Sequence, residues 1–160
     1  MNKPSTQDDA VVEVRFEIVK DADGYPESRD AEALLCKPID AECETCIVQS
    51  VPFFLKNVAY GDTISTTLDS ERCLHFKVVT GRGGYSVYRL FLHDPSQKEA
   101  LIRELLELDA LVESQGNLVA LAVPPTADSD ALVDYILAGK DRGTWGAQDG
   151  YIYEQADAEP

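Results

Sequence analysis

Basic residues are scarce in this chain: 14 Lys and Arg stand against 29 Asp and Glu over 160 residues, a formal net charge of −15. The few cations are scattered, with no basic stripe and no aromatic platform beside one, so binding to nucleic acid or to an anionic membrane surface is not expected. Histidine is nearly missing, at two residues, which leaves little for general-base or metal chemistry. Apolar runs are short, and none approaches the ~18 residues of a membrane span. No apolar stretch follows Lys3, so a secretory leader is not expected, and no Asn-X-Ser/Thr acceptor occurs. A cytoplasmic location is the expectation, with Cys36, Cys43, Cys46 and Cys73 as reduced thiols unless they hold a metal. No nucleophile turn of the Gly-X-Ser-X-Gly kind is present, and an enzyme is not expected.

What is present suffices for a core: 44% hydrophobic residues, including seven Tyr and five Phe. One α+β domain is expected over residues 11–154, with Asp69-Ser70-Glu71 either a boundary between subdomains 11–69 and 70–154 or a loop within one core. Residues 1–10 are expected to be disordered, and 155–160 to form a solvated acidic tail. The acids gather toward the ends: residues 1–54 hold twelve acids and five bases, 55–127 nine and seven, and 128–160 eight and two.

Val12, Val14, Phe16 and Ile18 alternate with Glu13, Arg15 and Glu17, the period of a half-buried strand. The Asp21-Ala22-Asp23-Gly24 turn ends it. Further strands are expected at Ala33–Ile39, at Thr45–Phe54 with a bend near Pro52, and at Thr63–Leu68 after the Gly61-Asp62 turn. Leu74–Val79 and Tyr85–Leu92 flank Gly81-Arg82-Gly83-Gly84 and read as a hairpin with Arg82 exposed on its tip. Ser96 with Glu99 forms a capping-box pattern. Leu101, Leu105, Leu108 and Val112 then recur at helical spacing up to Gly116. Leu118–Val123 is a continuous apolar run, a central strand. A second helix is expected over Asp130–Ala138, capped by Asp128 or Ser129, with Leu132, Val133, Ile136 and Leu137 inward, and a last strand at Tyr151–Tyr153. The fold class is therefore α+β: an N-terminal antiparallel β meander or small barrel, then a β-β-α-β-α-β layer with two helices on one face of a sheet.

Val12–Phe16, Gly24-Tyr25-Pro26, Pro52-Phe53-Phe54 and Gly61-Asp62 come in the order of a known pattern, and Val123-Pro124-Pro125 and Gly143-Thr144-Trp145 follow in the later part. In these the chain resembles a bacterial family of uncharacterised proteins, the domain-of-unknown-function 4265 family, over roughly residues 11–154. The shared motifs are turn glycines, a proline bend and core aromatics. The resemblance implies a structural role for them and carries no catalytic assignment. The stretch from Cys36 to Cys46 departs from the pattern.

Several groups of residues carry types suited to chemistry. Cys43-Glu44-Thr45-Cys46 is a CxxC, and Cys73 with His75 adds C-x-H, together enough ligands for a tetrahedral zinc site. Against it, the CxxC lacks a glycine-rich knuckle, and it precedes a strand where a redox motif needs a helix N-terminus. Asp21–Gly24 begins like a calcium loop, but Pro26 stands where glycine is required. Gly81–Gly84 lacks the Lys-Ser/Thr of a phosphate loop. His93 before Asp94 has the place of a general base with no nucleophile to serve.

The charge therefore points to an interaction protein, most concretely a bacterial immunity or inhibitor protein that neutralises a basic toxin domain. The expected partner-binding residues are Asp128, Asp130, Asp134, Asp141, Trp145, Asp149, Tyr151, Tyr153 and Glu154, with Tyr60 and Tyr85 as further aromatic anchors. No cofactor is expected. The alternative is a small-molecule or zinc-binding module, with or without enzymatic activity, centred on Cys43, Cys46, Cys73 and His75 or on His93.

Overall fold

A computed structural model describes residues 10–20, 22–24 and 30–154. The expectations for residues 1–9, for the Tyr25-Pro26 turn, for a loop beginning at Asp21 and for the 155–160 tail lie outside the described residues. The fold is α+β. Five strands, β1 (Val12–Glu17), β2 (Ala31–Pro38), β3 (Thr45–Val48), β4 (Thr63–Leu68) and β5 (Leu74–Gly81), follow one another around a closed barrel. Neighbours pair antiparallel except β1 with β5, whose parallel pairing closes the ring. The alternation in β1 is as expected: Val14 and Phe16 are buried, and Glu13, Arg15 and Glu17 face solvent. Leu34, Cys36, Cys46, Val48 and Ile64 complete the barrel core, and Phe16 stacks on Phe76 at 4.6 Å.

The second unit comprises β6 (Ser86–Leu92), α1 (Lys98–Glu107), β7 (Leu111–Gln115), β8 (Leu118–Val123), α2 (Ser129–Asp141) and β9 (Trp145–Tyr151). Its sheet runs β7-β8-β6-β9, antiparallel throughout. This βαββαβ order, with each helix crossing over one intervening strand, is a ferredoxin-like layer. Leu101 and Leu105 of α1 and Leu132 and Ile136 of α2 share one core with Leu90, Leu92, Val119, Leu121 and Trp145, so both helices lie on one face. The other face, through Val87, Ala120 and Ala122, packs on Val51 and Ala59 of the segment between β3 and β4. Strand β8 is thus covered on both sides, which is why it reads as an unbroken apolar run. Its large residues meet the helices, and its alanines meet the closer backbone.

Four expectations are corrected. The hairpin about Gly81–Gly84 does not form: β5 pairs with β4 and β1, while β6 pairs with β8 and β9. The glycines instead serve the crossover between the sheets, where a Cβ on Gly83 would lie 2.4 Å from the Gly61 carbonyl oxygen. The crossover thus sits at 82–85, whereas Asp69–Arg72 is a turn inside the barrel. The first helix does not reach Gly116. It ends at Glu107 with Leu108 as its C-cap, Asp109 takes a left-handed φ of 71°, and Leu111–Gln115 is the edge strand β7. Val112 matched the helical period because it reaches the same core from the strand. The cap is also displaced. Asp94 accepts from Ser96 N at 3.0 Å and Ser96 Oγ at 2.8 Å, capping a 3-10 turn at Pro95–Gln97 before α1. Finally, β3 stops at Val48 and the last strand begins at Trp145, while α2 extends to Asp141 with Leu137 exposed.

Candidate functional site

Helix α2 carries the densest exposed charge of the expected surface. Asp128 is its N-cap and accepts from Ala131 N at 3.1 Å. Asp130, Asp134, Leu137 and Asp141, spaced by four, three and four residues, form one outward stripe. Among the described residues none of these three acids makes an ion pair. Leu137 stands 47% exposed in their midst. The stripe carries a structural cost. Asp130 and Asp134 repel at i, i+4, and Asp141 sits at the negative end of the helix, each costing some tenths of a kcal/mol.

The rest of the expected surface is divided. Trp145 cannot anchor a partner. It is 3% exposed, its indole N–H donates to Ile136 O at 2.9 Å, and its ring lies 5.5 Å from Tyr135. Asp149 is exposed on β9 opposite Tyr88, on the helix side. Tyr88 pairs with Asp149 and Val87 with Tyr151, so Gly150 is a bulge, and Tyr151 turns to the barrel side. Tyr153 is half-buried, its N–H bonded to Ser86 Oγ at 2.9 Å, and Glu154 is exposed. Tyr151 and Tyr153 therefore do not share a surface with the α2 stripe.

Two of the motifs behind the family resemblance, Pro52-Phe53-Phe54 and Gly61-Asp62, meet at the joint between the units, which the sequence reading missed as a site. Asp62, fully buried, accepts from Ala59 N at 2.9 Å, Gly83 N at 3.2 Å and the Arg82 guanidinium at 2.8 Å. Burial pushes its carboxyl up, against the pull of those donors. Arg82, expected to be free on a hairpin tip, is spent here and lies 4.2 Å over the Tyr151 ring. Tyr60 and Tyr85 pack on each other at 5.0 Å. Arg89 is 1% exposed and donates to the carbonyls of Pro52 and Leu55. Glu32 accepts from Phe53 N and Phe54 N, and Glu113 from Val51 N at 3.0 Å. The Val51–Leu55 segment, with no ladder of its own, is held by side chains from both units. A Gly-Asp turn and a Pro-Phe-Phe bend were visible in sequence; their meeting was not, because their partners are 20 or more residues away.

The cysteines do not assemble a metal centre. Cys46 lies opposite Ile64 and His75 opposite Thr67, three residues further along β4, about 10 Å. His75 Nε2 is 2.7 Å from Asp69, and Cys73 is exposed. Among the described residues no group of three or more His, Cys, Asp or Glu is placed to hold a metal. Burial, then the neighbouring Cys46, pushes the Cys36 thiol up to about 12. Burial, then Cys43 and Asp40, pushes Cys46 to about 11. Such thiols are the reverse of activated nucleophiles.

A cleft of about 490 Å³ opens where β6, α1, α2 and β9 converge. His93 Nδ1 lies 2.7 Å from the Gly143 carbonyl, which can only accept, so Nδ1 carries the proton. Tyr135 donates its hydroxyl proton to Glu104 across the mouth, and Arg142 stands beside it. Burial, first, and then Glu104 push the Tyr135 hydroxyl up. The cleft escaped the sequence reading because these residues come from three separate segments and form no spaced motif.

The family model for the domain of unknown function DUF4265 matches residues 32–147, well over half of the chain. The chain belongs to this family. The matched span takes in most of the barrel, the joint and the ferredoxin-like layer up to the start of β9. In three dimensions the chain is similar to the crystal structure of a hypothetical protein from Neisseria gonorrhoeae. The TM-score is 0.71 at 16% identity, covering 90% of this chain and 98% of that one. At that identity the likeness is one of fold. No curated protein matches. No helix among the described residues is long and apolar enough to cross a membrane.

Proposed function

We propose that this DUF4265 protein acts by docking, without turnover, onto a basic protein. The concrete form is a bacterial immunity protein that neutralises a cognate cationic toxin domain in the cytoplasm. The observation that carries the reading is the unneutralised stripe Asp130–Asp134–Leu137–Asp141 on the outer face of α2. Its charges burden the helix and serve no internal contact, so their use lies outside the chain. Asp149 and Glu154 add to the same sign of field. An acidic face steers a cationic partner and raises association rates toward ~10⁸ M⁻¹s⁻¹ at low salt. Leu137 supplies the apolar contact that charge alone does not. Neither nucleic acid nor a membrane belongs to this reading.

The test is co-expression with the product of the adjacent gene, followed by stopped-flow association at several salt concentrations. The neighbour should be toxic alone and silent in the presence of this chain. Its association rate should fall by roughly tenfold or more from low to high salt, and Asp130→Asn with Asp134→Asn and Asp141→Asn should slow it comparably. A harmless neighbour, or binding indifferent to salt and to the three substitutions, rejects the proposal.

A further inference from the structure

We propose that the cleft between α1, α2 and the start of β9 binds a free α-amino acid, with Arg142 taking its carboxylate and Glu104 its ammonium. The inference goes beyond the docking reading and does not depend on it. Three charged side chains line this cleft, Asp94 and Glu104 against Arg142; Asp94 is engaged by Ser96 N and Ser96 Oγ, and Arg142 makes no ion pair with either acid. Among the described residues the Arg142 guanidinium has no ion-pair or hydrogen-bond partner at all. The Arg142 guanidinium is therefore available to an anionic group entering the cleft. Glu104 uses one carboxylate oxygen on the Tyr135 hydroxyl, and the other remains to accept. Tyr135 donates its O–H hydrogen bond to Glu104, and its oxygen lone pairs remain as a second acceptor for an ammonium.

The remaining wall suits a side chain. Tyr135 contributes an aromatic face, and the nearly closed-off Leu101 and Trp145 lie behind it. With Nδ1 of His93 held by Gly143 O, Nε2 is fixed as an acceptor when the ring is neutral. The volume lies within the ~300–1,000 Å³ of small-molecule sites. A carboxylate alone would leave Glu104 facing it, and an amine alone would meet Arg142. Only a molecule bearing both charges satisfies both groups.

The experiment is an NMR titration of the ¹⁵N-labelled full chain with L-leucine and L-phenylalanine, against isocaproate and isoamylamine as singly charged probes. Saturable shifts at Glu104, Arg142 and Thr144 are expected, with a Kd in the ~1 mM range or tighter. The singly charged probes should bind at least about tenfold more weakly, and Arg142→Gln and Glu104→Gln should each weaken binding by a similar factor. Arg142→Lys should restore part of it. The emission of Trp145 and the melting temperature show whether each variant is folded. Absence of saturable shifts with both amino acids, equal binding of the singly charged probes, or binding unchanged in folded Arg142→Gln each overturns the proposal.

Discussion

Gly139→Ala puts the packing of α2 on β9 to a direct test. On an exposed helix interior this change stabilises by about 1 kcal/mol. Gly139 is buried inside α2, and a Cβ there would lie 2.0 Å from Trp145 Cζ2, 2.2 Å from Cε2 and 2.4 Å from Cη2. Carbon atoms pack at ~3.5–4.0 Å, so the indole or the helix must retreat by about 1.5 Å. The retreat carries over-packing strain of about 1–3 kcal/mol and loosens the indole N–H bond to Ile136 O, worth about 1 kcal/mol. Set against the propensity gain, the net is a loss of about 2 kcal/mol, or a fall in Tm of roughly 4–8 °C. Trp145 is the only tryptophan, so its fluorescence reports the displacement without a label, and thermal unfolding followed by its emission gives both readings. In a Trp145→Phe background the contacting six-membered ring is gone, and the same Ala should be neutral or mildly stabilising. A higher Tm for Gly139→Ala with unchanged emission would refute the packing argument.

Other outcomes follow from the same structure. Gly83→Ala should loosen the joint and lower the Tm measurably by calorimetry, since its Cβ would meet the Gly61 backbone at 2.4 Å, where no side chain can rotate away. Glu113 is pushed above its ordinary value near 4.5, chiefly by burial and then by Glu32, with Val51 N–H opposing. A raised folded value means that wild-type stability is greatest below the ordinary value and declines as pH rises through the folded one. Glu113→Gln, which keeps an acceptor for Val51, should therefore gain on wild type at neutral pH and lose that advantage toward pH ~4.5 in denaturant titrations. Glu113→Ala should cost about 1–3 kcal/mol by orphaning that N–H. Asp141→Lys should stabilise α2 by about 0.3–1 kcal/mol in chemical denaturation while slowing association with a cationic partner. With a thiol reagent at pH 8, Cys73 should react first, and Cys36 and Cys46 only on unfolding, as mass spectrometry of the labelled peptides would show.

Local pattern was enough to find most strands, the second helix with its Asp128 cap, and the α+β class. Each of these rests on a period of two or 3.6 residues, or on a side chain reaching three residues on. Asp130 and Asp134 were legible on one helix face for the same reason, whereas Asp141 falls in line with them only because α2 runs past the expected end at Ala138. Pairing was not legible. Whether β5 joins β6 or closes the barrel depends on β1, some 60 residues back, and Gly81–Gly84 suits a hairpin or a crossover equally well in isolation. The burial of Trp145, the spending of Arg82 on Asp62, the separation of Cys46 from His75 and the cleft that gathers Glu104, Tyr135 and Arg142 were decided by tertiary contacts alone. Sequence dictates what a residue is able to do, and only the packing of distant segments decides which neighbours, and how much water, it does it with.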